Sequence, residues 1–398
     1  MNVKLSKATI CGELNAIPSK SFAHRILICD FLSENEIRGE FNGFFSKDIL
    51  ATANCLRAIR KGENKLDCVE SGSTLRFLIP LCASIGGEFS FYGQGKLLVR
   101  PNDALFCVLR EKGIEIEQNK ECIKIKGKLC SGDYKIRGDI SSQYITGLMF
   151  ALANLDGNSK ILLTTPLSSK AYVDITKEVL ANYGVKVEQT EYGFFVKGNQ
   201  KFSGQFEPEG DWSNMATFLV LGAVAGEIVI KGLNPNSVQG DREILTILQS
   251  AGAIIEQENG KIRVKKSELK GFTFNADCCP DLVPVASVLG AVANGKTIIK
   301  NVQRLKIKES DRVLSTISTL KAFGVRAESQ GDDIIIYGGL VSGCEVDSFN
   351  DHRIVMQSAI LGAIALGNSK IFNANAVQKS YPTFFNDYLC VGGKAVEF

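Results

Sequence analysis

One segment pattern recurs six times along the 398 residues, and it constrains the fold more than any other feature. Each copy opens on a polar start, runs through a nearly apolar helix, meets a Gly or a small polar turn and ends in a β-rich run. The copies include "SGSTLRFLIPLCASIGGEFSFYG", "SSQYITGLMFALANLDGNSKILLT", "DWSNMATFLVLGAVAGEIVIKGL" and "PDLVPVASVLGAVANGKTIIKNV". The six starts fall near Ser19, Ser71, Ser141, Asp211, Asp281 and Asn350, so their spacings are 52, 70, 70, 70 and 69 residues. A long fixed period signals a repeated supersecondary unit.

A second segment type alternates with the first. It joins an amphipathic helix, a Gly turn and two short strands, as in "DREILTILQSAGAIIEQENGKIRVKK". The alternation predicts six βαβαββ-like units and an α/β fold. The first helix type has almost no polar face, so it belongs inside, and its Ser, Asp or Asn starts suit N-caps. The second type is half exposed by its periodicity. A chain of this length fits two domains of three units each. Matched sets of helix N-termini would then face a common region suited to anions.

The bulk numbers exclude several classes. A net charge of +3 is too small for a nucleic-acid binder. The twelve cysteines contain no C-x-x-C, and there are only two histidines, His24 and His352, so no metal and no cofactor are expected. The cysteine pattern and the absence of a signal-like apolar core near "MNVKLSKATICGEL" point to the cytoplasm. The longest apolar run, "MATFLVLGAVAG", is too short to span a bilayer. Residues 290–297, "GAVANGKT", match a phosphate-loop pattern, but the helix precedes them and the strand follows, the reverse of what that loop requires.

The charged and polar oddities gather at repeat junctions: "PSKSFAHR" at 18–25, "ESGSTLR" at 70–76, "VRP" at 99–101, "ISSQ" at 140–143 and "SSKAYVD" at 168–174. The second half adds "PD" at 280–281, "KESDR" at 308–312, "NDHR" at 350–353 and "QKSYP" at 378–382. These bring Lys20, Arg25, Arg76, Arg100, Lys308, Arg312, Arg353 and Lys379 to matched ends of the units, which suits a substrate carrying several negative charges. Within "KESDR", Ser310 and Asp311 can cap the helix that follows, but capping does not account for Lys308, Glu309 and Arg312 together.

Taken in order from about residue 10 to residue 385, these motifs, with "GD" at 210–211 and "QGDRE" at 239–243, resemble the 5-enolpyruvylshikimate-3-phosphate synthase family of enolpyruvyl transferases. The resemblance implies a two-domain, inside-out α/β barrel with three βαβαββ repeats per domain, buried helices and outer sheets. Residues 1–18 with 211–398 would form one domain and 19–210 the other, with the active site in the cleft that the family closes on its substrate. The reaction it implies moves the enolpyruvyl group of phosphoenolpyruvate to the 5-hydroxyl of shikimate 3-phosphate and releases phosphate. The implied catalytic residues are Asp281, Glu309 and Lys20. Shikimate 3-phosphate would meet Lys20, Ser21, Arg25, Ser141, Ser142, Gln143, Ser169, Tyr172, Asp281 and Lys308. Phosphoenolpyruvate would meet Lys20, Gly72, Arg100, Gln143, Arg312, Arg353 and Lys379, with Arg76 and His352 as further candidates. Partners would be these small molecules only, with no nucleic acid or membrane, and the chain would act as a monomer.

The chain departs from the family pattern at Glu70, usually Asn; at Phe77, usually Pro; in "GDWSN"; and at Arg304, Asn in some members. These departures concern the phosphoenolpyruvate pocket and the response to glyphosate, and leave Lys20, Asp281 and Glu309 untouched. Two alternatives stand beside this reading. A UDP-N-acetylglucosamine enolpyruvyl transferase would start with Lys-Asn and carry a Cys in the "GQGKLLVRPND" loop, and this chain has neither. A non-catalytic anion- or RNA-binding repeat protein would need neither Asp281 nor Glu309.

Overall fold

The computed structural model describes residues 1–398. It opens with two strands, β1 (Val3–Ser6) and β2 (Ile10–Asn15), followed by helices α1 (Lys20–Leu32) and α2 (Lys47–Arg60). The second repeat holds β3 (Lys65–Asp67), α3 (Gly72–Ile85), β4 (Gly87–Tyr92), α4 (Asp103–Glu111), β5 (Glu115–Gln118) and β6 (Cys122–Gly127). The third holds β7 (Asp133–Ile136), α5 (Ser142–Ala153), β8 (Ser159–Leu163), α6 (Lys170–Asn182), β9 (Val187–Thr190) and β10 (Gly193–Val196). The fourth runs through α7 (Trp212–Ala225), β11 (Gly226–Lys231), α8 (Ile244–Ser250), β12 (Ile254–Glu258) and β13 (Lys261–Lys265). The fifth contains β14 (Thr273–Asn275), α9 (Val283–Val292), β15 (Lys296–Lys300), α10 (Arg312–Ala322), β16 (Arg326–Gln330) and β17 (Asp333–Tyr337). The last contains β18 (Glu345–Asp347), α11 (His352–Ile364), β19 (Ser369–Phe372), α12 (Phe384–Cys390) and β20 (Lys394–Glu397).

The chain forms two compact units, Met1–Ser19 with Glu209–Phe398, and Lys20–Pro208. In both, the apolar helices are buried on all sides; every residue of α7 but Ser213 is buried. The strands instead alternate between buried and exposed faces, as in β7. Each sheet has four strands in one recurring order, shown by β3-β4-β6-β5 and β7-β8-β10-β9. In these two sheets the first pair is parallel, and the other pairings, the β5–β6 and β9–β10 hairpins among them, are antiparallel. The N-terminal segment completes two sheets of the first unit. There β2 pairs in parallel with β11, and β1 pairs antiparallel with β19 and β20. The sheets remain separate, and none closes into a barrel. "Inside-out" therefore describes inner helices and outer sheets, not a ring of strands.

Six repeats predict six sheets, but five form. The first repeat has no sheet, because α2 leads through residues 61–64 into β3 with no hairpin between them. The missing hairpin accounts for the short first spacing, 52 residues against 70. Side chains take over the hydrogen bonding there. Arg57 donates to Ile37 O at 2.8 Å and Arg60 to Asn35 O at 2.7 Å. Arg38 donates to Phe206 O at 3.0 Å, and Asn35 to Gly204 O at 2.8 Å.

Four helix starts follow the capping expectation. Ser71, Ser141, Asp211 and Asp351 each accept from a backbone N–H in the first turn of their helix. Asp281 does not cap α9. It lies in a 3-10 turn, Pro280–Leu282, which leaves its carboxylate to other partners. Residues 290–297 end α9 and begin β15, so they are a repeat turn. One glycine is needed for packing. A Cβ at Gly147 of α5 would lie 2.5 Å from Arg76 O of α3. Pro80, four residues on, lacks the N–H that would otherwise occupy that carbonyl.

Candidate functional site

The two units carry different sets of candidate residues. In the unit Lys20–Pro208, α1 presents Lys20 and Ser21 in its first turn and Arg25 in its second. Lys20 Nζ lies 2.9 Å from Asp48 on α2. Arg25 is 2% exposed, and its hydrogen bonds go to neutral oxygens: Thr176 Oγ1 at 2.8 Å, Ser21 O at 2.6 Å, Tyr172 O at 2.9 Å and Thr146 Oγ1 at 3.4 Å. Burial pulls its pKa down to about 9, a sign that the folded chain holds this cation without an adequate counter-charge. Its guanidinium lies 5.1 Å from the ring centroid of Phe77, one of the departures from the family pattern.

A second cluster in this unit centres on Arg76. It donates to Asn102 at 3.0 Å, to Gln143 Oε1 at 2.8 Å and to Pro101 O at 3.0 Å. Gln143 passes the contact on to Ser73 at 2.9 Å. Gly72 opens α3 so close to Arg100 that a Cβ there would lie 2.8 Å from Arg100 Nη1. Ser141 caps α5, and Ser142 is buried in its first turn. Ser169 takes a left-handed φ of 52° at the start of α6, and Tyr172 N donates to its carbonyl.

The other unit gathers carboxylates around a cation. Arg312, the first residue of α10, is 1% exposed. It reaches Asp281 at 2.6 Å, Glu309 at 2.8 Å and Asp351 at 2.8 and 3.2 Å. These three carboxylates hold its pKa well above the ordinary value despite burial. Lys308 also reaches Asp281, at 3.3 Å. Desolvation nevertheless lowers its pKa, against the pull of Asp281 and Glu309. Asp311 caps α10 through Val313 and Leu314 N–H, both at 3.1 Å, and Ser310 bonds Asp351 at 3.0 Å. Arg353 donates to Ser213 O at 2.6 Å and to the Ser213 hydroxyl. Lys379 donates to Asn350 O at 2.6 Å. His352 is buried in the first turn of α11, with Nδ1 3.8 Å from Asp351.

This geometry unites buried cations with placed carboxylates, which suits proton transfer on a polyanionic substrate, and the comparisons identify the lineage. A family model described as EPSP synthase (3-phosphoshikimate 1-carboxyvinyltransferase) matches residues 6–388. The chain belongs to the EPSP synthase family. A 3-phosphoshikimate 1-carboxyvinyltransferase from Clostridium kluyveri is 41% identical, over 100% of this chain and 98% of the relative. Another from Clostridioides difficile is 36% identical over 100% and 99%. A solved EPSP synthase structure from Acinetobacter baumannii covers both chains completely at a TM-score of 0.79 and 22% identity, which shows the same fold. The EPSP synthase family is one of enolpyruvyl transferases acting on small-molecule substrates, and no helix of this chain is long and apolar enough to cross a membrane.

Several residues at these EPSP-synthase motifs escaped the sequence reading. Asp351 sits inside "NDHR", but its grip on Arg312 joins two motifs 39 residues apart, which no local pattern reveals. Asp48 follows the Ser46 cap of α2 and carried no signal of its pairing with Lys20. Asp241 lies within "QGDRE" and is buried, with one oxygen lacking a hydrogen-bond partner. Burial, then the nearby Asp281, pushes its pKa up to about 6. The departure Arg304 reaches Asp277 at 3.4 Å.

Proposed function

We propose that this chain transfers the enolpyruvyl group of phosphoenolpyruvate to the 5-hydroxyl of shikimate 3-phosphate with Asp281, Glu309 and Lys20 as its proton-transfer groups. The observation that carries these roles is the Arg312 cluster, which holds Asp281 at 2.6 Å and Glu309 at 2.8 Å from one buried guanidinium. One fixed cation thus orients two carboxylates for two different proton transfers.

In the addition step, the 5-hydroxyl oxygen bonds to C2 of phosphoenolpyruvate. Its proton passes to Asp281, and the methylene carbon C3 receives a proton from Glu309. In the elimination step, Glu309 removes a proton from that methyl group, the bond from C2 to the phosphate oxygen breaks, and phosphate leaves with the proton that Asp281 had taken from the hydroxyl, which returns both carboxyl groups to their starting states. Lys20, paired with Asp48, offsets negative charge near both reactants and shares in the proton transfers. Each general acid–base contribution is worth about 10²–10⁴-fold. The cations supply the electrostatic part.

Shikimate 3-phosphate meets Lys20, Ser21, Arg25, Ser141, Ser142, Gln143, Ser169, Tyr172, Asp281 and Lys308. Arg25 supports this assignment, because its neutral partners leave it short of an anion. Phosphoenolpyruvate meets Lys20, Gly72, Arg100, Gln143, Arg312, Arg353 and Lys379. The enzyme works as a cytoplasmic monomer without cofactor or metal, in keeping with its twelve cysteines and modest charge.

The test is phosphate release from phosphoenolpyruvate with shikimate 3-phosphate, and in parallel with UDP-N-acetylglucosamine. Release with shikimate 3-phosphate alone is the predicted result. Release with the sugar nucleotide alone would transfer the chain to the sister reaction, and release with neither would remove the catalytic reading.

A further inference from the structure

Arg25 and its neighbour His24 leave α1 in different directions, and each ends on a pair of threonines. Arg25 meets Thr176 of α6, whose hydroxyl lies 2.7 Å from that of Thr146 of α5. His24 Nδ1 lies 2.7 Å from the hydroxyl of Thr52 on α2, which lies 2.6 Å from that of Thr74 on α3. All four threonines are fully buried.

A helical threonine ordinarily bonds the carbonyl four residues back. Thr52 has that option in Asp48 O, but at 3.4 Å, longer than either bond it makes between helices. Thr74 then donates to Ser71 Oγ at 2.7 Å, and Ser71 is the N-cap that sets the first turn of α3, where Gly72 lies. The line His24–Thr52–Thr74–Ser71 therefore ties the start of α1 to the start of α3. Its route crosses α2 one turn after Asp48, the partner of Lys20. His24 Nε2 is buried with no hydrogen-bond partner, so the imidazole is held by Nδ1 alone. Such an atom is costly to bury.

We propose that the two threonine pairs are positioning devices of separate function. Thr52 and Thr74, through His24, set the Ser71–Gly72 turn for phosphoenolpyruvate, whereas Thr176 and Thr146 set Arg25 for shikimate 3-phosphate. Adjacent residues on α1 thus serve as one reference for two substrates. The proposal rests on the assignment of Gly72 to phosphoenolpyruvate and of Arg25 to shikimate 3-phosphate.

The experiment measures KM for both substrates in Thr52→Val and Thr176→Val, with Thr74→Val as a second entry into the first pair. Thr52→Val is expected to raise KM for phosphoenolpyruvate roughly five- to twentyfold and to leave KM for shikimate 3-phosphate nearly unchanged. Thr176→Val should do the reverse, and Thr52→Ser, which restores the hydroxyl, should return the first value toward wild type. Equal rises in both KM values in either variant, with a lower melting temperature, would reduce the pairs to ordinary core polar groups and overturn the proposal. So would an unchanged KM for phosphoenolpyruvate in both Thr52→Val and Thr74→Val. Arg100→Ala and Arg25→Ala are the controls for the underlying assignments. If Arg100→Ala leaves phosphoenolpyruvate unaffected, or Arg25→Ala leaves shikimate 3-phosphate unaffected, the substrate assignment has failed. If both controls respond and the threonine variants do not, only the positioning role has failed.

Discussion

Arg25 and Arg312 are both at least 98% buried, yet their surroundings differ in kind. Arg25 meets four neutral oxygens, and its pKa is pulled down to about 9. Arg312 meets three carboxylates, and its pKa is pushed well above the usual value. A buried cation among neutral dipoles still lacks a counter-charge, so it favours an incoming anion. A buried cation among carboxylates has its counter-charge already and acts by fixing where those carboxylates point. The unit Lys20–Pro208 thus holds a buried cation short of negative charge, and the other unit holds a buried cation that fixes Asp281 and Glu309, the carboxylates for which proton transfer is proposed.

The harshest test of the contrast is Arg312→Ala. It leaves Asp281, Glu309 and Asp351 facing one another without their shared cation. A loss of about 3–5 kcal/mol of stability is expected, measured by denaturant unfolding, with turnover falling by more than either carboxylate variant. Arg25→Ala strands no carboxylate, so its unfolding free energy should change by much less. If the two variants lost stability equally, the contrast would be broken.

Glu309→Gln and Asp281→Asn come next. Each keeps its shape and most of its hydrogen bonds but cannot exchange the proton. Turnover should fall by about 10²–10⁴-fold with the fold intact, read from phosphate release and a thermal melt. Full turnover in either would remove that residue from the proton path.

Arg25→Ala should then weaken shikimate 3-phosphate by roughly 10- to 150-fold, from the loss of about 1.5–3 kcal/mol in a charged hydrogen bond. The same variant should lose most of the melting-temperature rise that inorganic phosphate gives the wild type. A phosphate response equal to wild type would mean that Arg25 is not the anion's contact.

The smallest effect concerns Asp241, the buried carboxylate that Arg312 does not hold. Its folded pKa of about 6 lies above the unfolded carboxylate value, so the folded chain binds that proton more tightly than the unfolded chain between about pH 4 and 6. Its contribution favours folding at low pH and is lost as pH rises through 6. Asp241→Asn should therefore stabilise the protein by roughly 1–3 kcal/mol at pH 8, with the gap closing toward pH 4. A gap independent of pH would show that burial of this charge is not the cause.

Much of this arrangement was legible in the sequence, because its signals are local. The 70-residue period, the Ser and Asp caps, and the helix-then-strand order of "GAVANGKT" each depend on neighbours within one or two turns of chain. "KESDR" could be read as more than a cap for the same reason. The remainder depended on distant partners. That β1 and β2 join sheets more than 200 residues away follows from pairing, not pattern. The missing sixth sheet was foreshadowed by the short first spacing, but the use of Arg38, Arg57 and Arg60 in its place was not. Asp281 fitted an N-cap by sequence, yet the 3-10 turn at Pro280 frees it to meet Arg312. Asp48, Asp351 and Asp241 carry ordinary letters in ordinary places, and only tertiary contact distinguishes them.

The division of labour between the two buried arginines is tested most directly by calorimetric titration of shikimate 3-phosphate into Arg25→Ala and Glu309→Gln side by side. The account predicts that Glu309→Gln binds within a fewfold of wild type while Arg25→Ala binds at least about tenfold more weakly. Wild-type affinity in Arg25→Ala, or an equal loss in both variants, would contradict it.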